Sequence, residues 1–250
     1  MKIMIVRHAE PDYSIDSLTE KGRFEAELLS RRLSKVDHVL GYYMSPKGRA
    51  IATAGYTLEK VGATAEVLPW LCEFRGSCMD PDRGVVRNCW DLRPRTFHGH
   101  PVLEDPDTWL TYPYFEGSNV PEIWKETTDG VDELLARYGF RRDGAIWLSE
   151  NNNPGVLMLF CHFAIGMAIT AYLTHMSPMV LWQNFCMTPS SITTLITEER
   201  TKGEVAWRCM QLGDISHLYA GEERYSTAGL FPEVYDGRDT TDPLEWGSRQ

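Results

Sequence analysis

The sequence contains no long hydrophobic run. None of its 250 residues belongs to an apolar stretch that approaches the roughly 18–20 residues of a membrane-spanning helix. The chain opens directly with a predicted strand, Met1–Val6, which leaves no room for a signal peptide. We therefore expect a protein without a targeting segment and without a membrane partner.

The sequence also contains fewer basic than acidic residues. Lys and Arg number 25 against 35 Asp and Glu, which gives a formal net charge of −10 at pH 7. A protein that binds nucleic acid independently of sequence needs a dominant basic surface, so this class is excluded and no nucleic-acid partner is expected. Net charge does not describe local placement, however, and a small basic pocket for a phosphorylated metabolite remains compatible with it.

Cysteines are few and scattered. The six residues at positions 72, 78, 89, 161, 186 and 209 show no paired metal-ligand spacing. Cys161 and Cys186 lie in apolar runs, which predicts that both are small buried residues. The pattern favours a reduced, cytoplasmic location over a disulfide framework.

Charged and polar side chains follow the first predicted strand. Arg7, His8 and Glu10 come directly after the apolar run Met1–Val6, and Pro11 cannot continue a strand ladder. Ligands of open α/β sheets bind at the carboxyl ends of the strands. Taken alone, this segment favours a solvated strand-end arginine and a hydrogen-bonded loop histidine over a binding site.

A second histidine stands in an equivalent place. The most apolar run of the chain, Val156–Cys161, predicts a central strand and is followed by His162. The carboxyl ends of parallel strands share one sheet edge, so His8 and His162 can converge. Arg49 follows Ser45-Pro46, which predicts a helix that begins with Ser45 as its N-cap. Two arginines and two imidazoles near a helix N-terminus would bind a phosphoryl dianion well.

The pattern of elements indicates an α/β domain. Strands and helices alternate over the first seventy residues, which is typical of a mainly parallel sheet. From residue 75 to about 119 the chain is rich in Pro, Gly, Trp and Arg, and no helix or strand period is visible. A stretch of this length is more often functional than a plain connector. Helical periodicity returns over residues 119–138.

Several short motifs together resemble one family. In order along the chain, they match the pattern of the histidine phosphatase superfamily, the phosphoglycerate-mutase-like proteins. The motifs are Arg7-His8-Ala9-Glu10, Leu18-Thr19-x-x-Gly22, Ser45-Pro46-x-x-Arg49-Ala50-x-x-Thr53-Ala54, Leu71-x-Glu73-x-x-Gly76 and Phe160-Cys161-His162. Each motif is weak by itself, but five in the same order are specific.

The resemblance implies a fold and a domain organisation. It predicts a three-layer α/β/α sandwich around a mainly parallel central sheet, formed as a single domain by residues 1–250. The insert at about 75–150 would then form a cap over the pocket. Residues from about 219 onward would form a C-terminal tail, which could serve a contact between two copies in a homodimer.

The resemblance also implies roles for the site residues. His8 would be the nucleophile that becomes phosphorylated, and Arg7 and Arg49 would clamp the phosphoryl oxygens. His162 would donate to the same group as the second imidazole. Glu73 would be the general acid for the leaving alkoxide and then the base for water. The alternative for Glu73 is a solvated loop carboxylate beside Arg75.

The chain departs from the family pattern at two positions. Pro11 stands where a Ser or Thr is common, so a hydroxyl contact to phosphate is missing unless Ser14 supplies it. Phe163 stands where Gly usually follows the second histidine, but its backbone N–H can still bind phosphate. Glu10 and Arg75 are further candidates for substrate contacts. Arginines of the insert either bind a second anionic group of the substrate or are solvated; these are Arg83, Arg87, Arg93 and Arg95.

We therefore expect a phosphomonoester hydrolase that forms a phosphohistidine and acts on a small phosphorylated metabolite. Two alternatives stay open at this point: a phosphoglycerate-type mutase and a non-catalytic phosphate-binding module. No metal or other cofactor is expected. His98-Gly99-His100 lacks a third ligand at zinc-like spacing and predicts an exposed loop.

Overall fold

A computed structural model describes residues 1–80, 84–151, 153–231 and 233–235. Its strands are β1 (Lys2–Arg7), β2 (Pro11–Asp12), β3 (Ser17–Leu18), β4 (Val39–Met44), β5 (Glu66–Val67), β6 (Ser77–Asp80), β7 (Val85–Asn88), β8 (Phe140–Asp143), β9 (Ile146–Ser149), β10 (Val156–Cys161), β11 (Ile192–Thr201) and β12 (Glu204–Asp214). Its α-helices are α1 (Glu20–Leu33), α2 (Gly48–Val61), α3 (Pro94–Phe97), α4 (Pro101–Glu104), α5 (Val120–Ala136), α6 (Phe163–Thr174), α7 (Pro178–Asn184) and α8 (Ser216–Ala220).

The central sheet is mixed, so the prediction of a mainly parallel sheet is wrong for one half of it. The strand order is β5-β4-β10-β1-β11-β12-β9-β8. The pairs from β5 to β1 are parallel, whereas every pair from β1 to β8 is antiparallel. The antiparallel half consists of two hairpins, whose tight turns use glycines at positive φ, Gly144 and Gly203. A tight turn returns the chain antiparallel to its own strand, so no crossover helix is needed there.

Helices cover both faces of the sheet, which confirms the predicted three-layer arrangement. Successive residues of a strand point to opposite faces. Ile3 and Ile5 of β1 therefore belong to the core cluster that includes α6, while Met4 and Val6 belong to the cluster that includes Leu29 of α1. Strand β10 is buried at every position, as expected for a strand with helices on both sides.

The insert is more ordered than its sequence indicates. It contains the hairpin β6–β7, the short helices α3 and α4 and the long helix α5, which agrees with the helix predicted over 119–138. Its core is aromatic: the ring of Trp109 lies 5.1–6.0 Å from the rings of Phe115, Trp124 and Trp182. Strands β8 and β9 belong to the central sheet. The range predicted for the cap, 75–150, therefore extends too far at its C-terminal end.

Helix α1 has a typical N-cap residue, whereas helix α2 does not begin where the sequence predicts. Thr19 is the N-cap of α1, and its hydroxyl accepts the Gly22 N–H at 3.0 Å. Helix α2, however, begins at Gly48 and not after Ser45. Asp16 takes over the capping contact, since its carboxylate accepts the Gly48 N–H at 2.8 Å. The prediction of Ser45 as N-cap is therefore wrong.

The start of the C-terminal tail packs against the first loop. Lys21 forms an ion pair with Glu223 at 2.9 Å, and the Ser226 hydroxyl donates to the Glu10 carboxylate. Ser226 is buried, but Tyr235 is largely exposed. A role of the tail in a homodimer stays a prediction.

Two further expectations concern cysteines and membranes. All six cysteines are unpaired; Cys161 is buried as predicted, but Cys186 is exposed because it lies just beyond α7. Within the described ranges, no helix has the length and apolar character needed to cross a membrane.

A close approach between α1 and the first loop requires glycine at position 22. A Cβ atom at Gly22 would lie 2.1 Å from the carbonyl oxygen of Glu10, a backbone atom that cannot turn aside. Gly22→Ala should therefore lower the free energy of unfolding by about 2 kcal/mol or more in urea denaturation. Gly55 of α2 is the matched control, because nothing lies within 4 Å of its Cβ position. Gly55→Ala should raise stability by about 0.5–1 kcal/mol. Equal effects of the two substitutions would contradict this interpretation.

Glu25 on α1 is a buried carboxyl group. Its Oε2 accepts the Glu10 N–H at 2.9 Å, and burial raises its pKa to about 7. The folded protein therefore keeps a proton that the unfolded chain releases near pH 4.5. The free energy of unfolding should fall by up to about 3 kcal/mol as the pH rises from 4.5 to 7. Glu25→Gln should remove that decrease.

The measurement is urea denaturation of wild type and variant at several pH values. Glu59→Gln, at an exposed position of α2, is the control and should leave the pH dependence unchanged. A Glu25→Gln variant that loses stability with rising pH as the wild type does would show that Glu25 is ionised in the fold.

Candidate active site

The two predicted histidines meet at the carboxyl edge of the sheet. Strands β1 and β10 pair in parallel with Arg7 opposite Cys161, and the His8 N–H donates to the Cys161 carbonyl at 2.9 Å. The imidazole centroids of His8 and His162 are 5.1 Å apart, with the rings inclined at 63°. The structure thus joins two residues that lie 154 positions apart in the sequence.

His8 has its imidazole oriented by the backbone. Its Nδ1 lies 2.8 Å from the carbonyl oxygen of Ala9. A carbonyl can only accept, so Nδ1 carries the proton and Nε2 keeps its lone pair. Burial lowers the pKa of His8 well below 6.5, and the positive charges of Arg7 and Arg49 lower it further. His8 is therefore a neutral imidazole whose Nε2 has no hydrogen-bond partner in the described ranges.

His162 is the N-cap residue of α6 and is fully buried. Its Nε2 lies 2.8 Å from the Ser45 hydroxyl oxygen, which itself accepts the Lys47 N–H at 3.3 Å. When the Ser45 hydroxyl donates to Nε2, Nδ1 carries the proton. That Nδ1 has no hydrogen-bond partner among the described residues. Burial, followed by His8, keeps the pKa of His162 well below 6.5.

The Arg7 guanidinium lies near the first residue of α6. Its guanidinium donates to the carbonyl oxygen of Met187 and, at 3.5 Å, to that of Ala228. The side chain is 5% exposed and lies 6.0 Å from the ring centroid of Phe163. In the part of the chain that the structure describes, its Nε is buried without a hydrogen-bond partner. An anion that accepts a hydrogen bond from this N–H would supply that partner.

Arg49 reaches the site from the first turn of α2. Its guanidinium donates to Asp16 at 2.8 Å and lies 5.3 Å from the ring centroid of Tyr13. Its Nε is also buried and unpartnered among the described residues. Partial burial acts to raise the pKa of Asp16, but the Gly48 N–H and the Arg49 guanidinium hold it below its usual value. Asp16 thus holds the Arg49 guanidinium in place.

Glu73 lies at the N-terminus of α6. Its Oε1 accepts the backbone N–H groups of Phe74, Ala164 and Ile165 at 3.0, 2.9 and 3.1 Å. Burial raises the pKa of Glu73, although these N–H groups and the two arginines oppose the shift. Glu73 is therefore not the solvated carboxylate beside Arg75 that the sequence left open. It is a carboxyl group with a raised pKa.

Phe163, the first residue of α6, retains the predicted position next to His162. The backbone N–H of a first helical residue has no partner within its helix, so it can donate to an anion. Its ring lies between Arg7 and the insert, 6.1 Å from the ring of Trp90.

Three predicted substrate contacts form other interactions. Ser14 is exposed and donates its hydroxyl to Asp12 at 2.5 Å. Glu10 accepts hydrogen bonds from Thr19 and Ser226. Arg75 pairs with Glu126 of α5 on the surface, at 3.1 Å. These contacts favour local structural roles over substrate binding.

The insert arginines divide into different classes. Arg87 fits neither expectation, because it is buried and pairs with Asp91 at 2.8 Å and Asp80 at 3.5 Å. Arg93 lies 3.8 Å from Asp80, whereas Arg95 is exposed. Arg83 lies outside the described residues. The described ranges contain no group of three or more His, Cys, Asp or Glu that could hold a metal, and His98 and His100 are exposed.

Comparisons with known proteins show which family the chain resembles. A model of the histidine phosphatase superfamily (branch 1) matches residues 3–210. A mycobacterial glucosyl-3-phosphoglycerate phosphatase solved with VO3 is 21% identical, with a TM-score of 0.54 over 84% of this chain and 98% of that one. A phosphoserine phosphatase from Entamoeba histolytica, in complex with 3-phosphoglyceric acid, is 16% identical, with a TM-score of 0.55 over 87% and 98%.

A search of the curated proteins finds no sequence match to this chain. At these identities the two solved structures establish similarity of fold, and the family model adds a sequence match over most of the chain. The chain belongs to the histidine phosphatase superfamily, branch 1.

Proposed function

We propose that this protein is a phosphomonoester hydrolase that acts on a small phosphorylated metabolite through a phosphohistidine at His8. The observation that carries the proposal is a neutral His8, whose Nε2 has no partner among the described residues, beside His162 and two guanidiniums with a buried, unpartnered Nε. A neutral imidazole is a nucleophile, and the cations around it attract the phosphoryl group that it attacks.

In the first step, His8 Nε2 attacks phosphorus and the bond from phosphorus to the ester oxygen breaks. Glu73 gives its proton to the departing alkoxide, which leaves as an alcohol. In the second step, water attacks the phosphohistidine, Glu73 takes a proton from that water, and the P–N bond breaks to release phosphate. Arg7 and Arg49 stabilise the negative charge of the phosphoryl oxygens in both steps, together with His162.

The part of the insert between residues 75 and 119 is the proposed cap that selects the substrate. Trp90 supports this role, because its indole N–H donates to the Phe74 carbonyl at 3.0 Å and its ring packs against Phe163. The cap therefore lies directly beside Glu73 and the first turn of α6. We also propose a cytoplasmic location and a mechanism without metal; the unpaired cysteines support the former.

The two similar structures are a glucosyl-3-phosphoglycerate phosphatase and a phosphoserine phosphatase, which supports hydrolysis over isomerisation. A phosphoglycerate-type mutase would instead transfer the phosphoryl group to a second hydroxyl. Incubation with 3-phosphoglycerate, followed by 31P NMR, separates the two. Release of inorganic phosphate is the expected result, and appearance of 2-phosphoglycerate without net phosphate release would favour the mutase.

Removal of the nucleophile should abolish turnover. His8→Ala should lower kcat/KM for p-nitrophenyl phosphate by at least about a thousandfold, because the covalent route is lost. His38→Asn, at an exposed histidine outside the insert, is the control and should retain wild-type activity. Full activity of a folded His8→Ala protein, checked by circular dichroism, would contradict the covalent mechanism. Activity should also survive addition of EDTA.

The pKa shifts predict the pH dependence of kcat/KM. His8 and His162 stay neutral as the pH falls through 6.5, so no acidic loss of rate is expected there. Glu73 must be protonated to act as an acid, so the rate should decline as the pH rises through its raised pKa. The measurement is wild-type kcat/KM at pH values from below 6.5 to above the raised pKa of Glu73.

Glu73→Gln tests the assignment of the acid. It should slow hydrolysis of an alkyl phosphate by about a hundredfold or more, and that of an aryl phosphate much less, because an aryl oxide leaves without a proton. Glu126→Gln, at a surface carboxylate, is the control. Equal losses on both substrates would indicate that Glu73 serves only to position α6.

A further inference from the structure

One hydroxyl group inside the site has no assigned role. Tyr13 lies in the loop between β2 and β3, and its ring packs on the Arg49 guanidinium at 5.3 Å. The side chain is half-buried. Within the described part of the chain, its hydroxyl forms no hydrogen bond and is not paired with any acceptor. The motifs that carry the family resemblance do not include this position.

Burial keeps the Tyr13 phenol protonated. Arg7 and Arg49 act to lower the pKa of Tyr13 and Glu73 acts to raise it, but burial raises it most. The phenol therefore keeps its proton for donation, and its ring packs on the Arg49 guanidinium of the site.

The other hydroxyl groups of this loop and of the start of α2 are already engaged. Position 11 is a proline, and Ser14 donates to Asp12. Ser45 is bonded to His162, and Thr53 donates to the Arg49 carbonyl while it accepts the Ala9 N–H. Tyr13 is thus the described hydroxyl on this loop that remains available to a ligand.

We propose that the Tyr13 hydroxyl donates a hydrogen bond to a non-bridging oxygen of the bound phosphoryl group, and so replaces the hydroxyl that Pro11 cannot provide. This inference rests on the proposed function, since it assigns a further contact to the same site. The donor acts together with Arg7 and Arg49, on the charge that collects on the phosphoryl oxygens. The ring face has a separate effect, because it holds Arg49 in place.

Tyr13→Phe tests the hydroxyl, because phenylalanine retains the ring on Arg49. We expect kcat/KM for p-nitrophenyl phosphate to fall by about tenfold to a hundredfold, the effect of one hydrogen bond to a charged group. The inhibition constant of orthovanadate should rise by a similar factor. Tyr13→Leu should lose more, since it also removes the ring. Tyr219→Phe, at an exposed tyrosine, is the control. Wild-type values in Tyr13→Phe, with a loss only in Tyr13→Leu, would overturn the proposal.

Failure of the proposed function gives a different result. If the wild type hydrolyses no phosphomonoester, binding of inorganic phosphate measured by calorimetry decides for Tyr13. A weaker Kd in Tyr13→Phe then supports the hydrogen bond, and an unchanged Kd overturns it. A wild type that neither turns over nor binds phosphate overturns both proposals.

Discussion

The parallel pairing of β1 with β10 is the constraint on which the site depends. Arg7 lies opposite Cys161 in that register, so the residues that follow, His8 and His162, leave the sheet side by side. Side chains alternate between the two faces of a strand, and a shift by one residue would move each imidazole to the other face. The buried, two-sided core of β10 excludes such a shift, because its apolar residues contact helices on both sides.

The site combines buried cations with neutral imidazoles. Burial of a charge is costly unless a partner compensates it. Asp16 compensates Arg49, and backbone carbonyls accept hydrogen bonds from Arg7, but both guanidiniums retain a buried Nε without a partner among the described residues. Burial, together with the same positive charges, keeps His8 unprotonated. A phosphoryl dianion would satisfy the cations and meet the free Nε2, so one electrostatic arrangement serves both binding and attack.

The features that could be predicted from the sequence are local or periodic. The apolar runs that end at His8 and His162 predict two strand ends, and Arg49 falls in the first turn of α2 as expected. The antiparallel half of the sheet could not be separated from further parallel strands, because a short apolar run carries no information on its neighbour. Contacts between distant segments could not be predicted from the sequence either. Ser45 has the sequence of an N-cap, but tertiary packing directs its hydroxyl to His162.

The same reason explains the residues that sequence reasoning missed. Asp16 adopts a positive φ of 45° and holds both Gly48 and Arg49, which no local motif indicates. Arg87 looks like a solvated loop charge until Asp80 and Asp91 are found beside it in the buried insert. Tyr13 enters the site only because its loop folds over Arg49. Each of these contacts depends on the assembled fold.

A crystal structure of the protein with bound vanadate tests the central claim most directly, because vanadate adopts the geometry of the phosphoryl transition state. We predict a vanadium atom bonded to Nε2 of His8, with its equatorial oxygens contacted by Arg7, Arg49 and His162. Vanadium bonded to His162, or held by the arginines with no bond to His8, would contradict the assignment of His8 as the nucleophile.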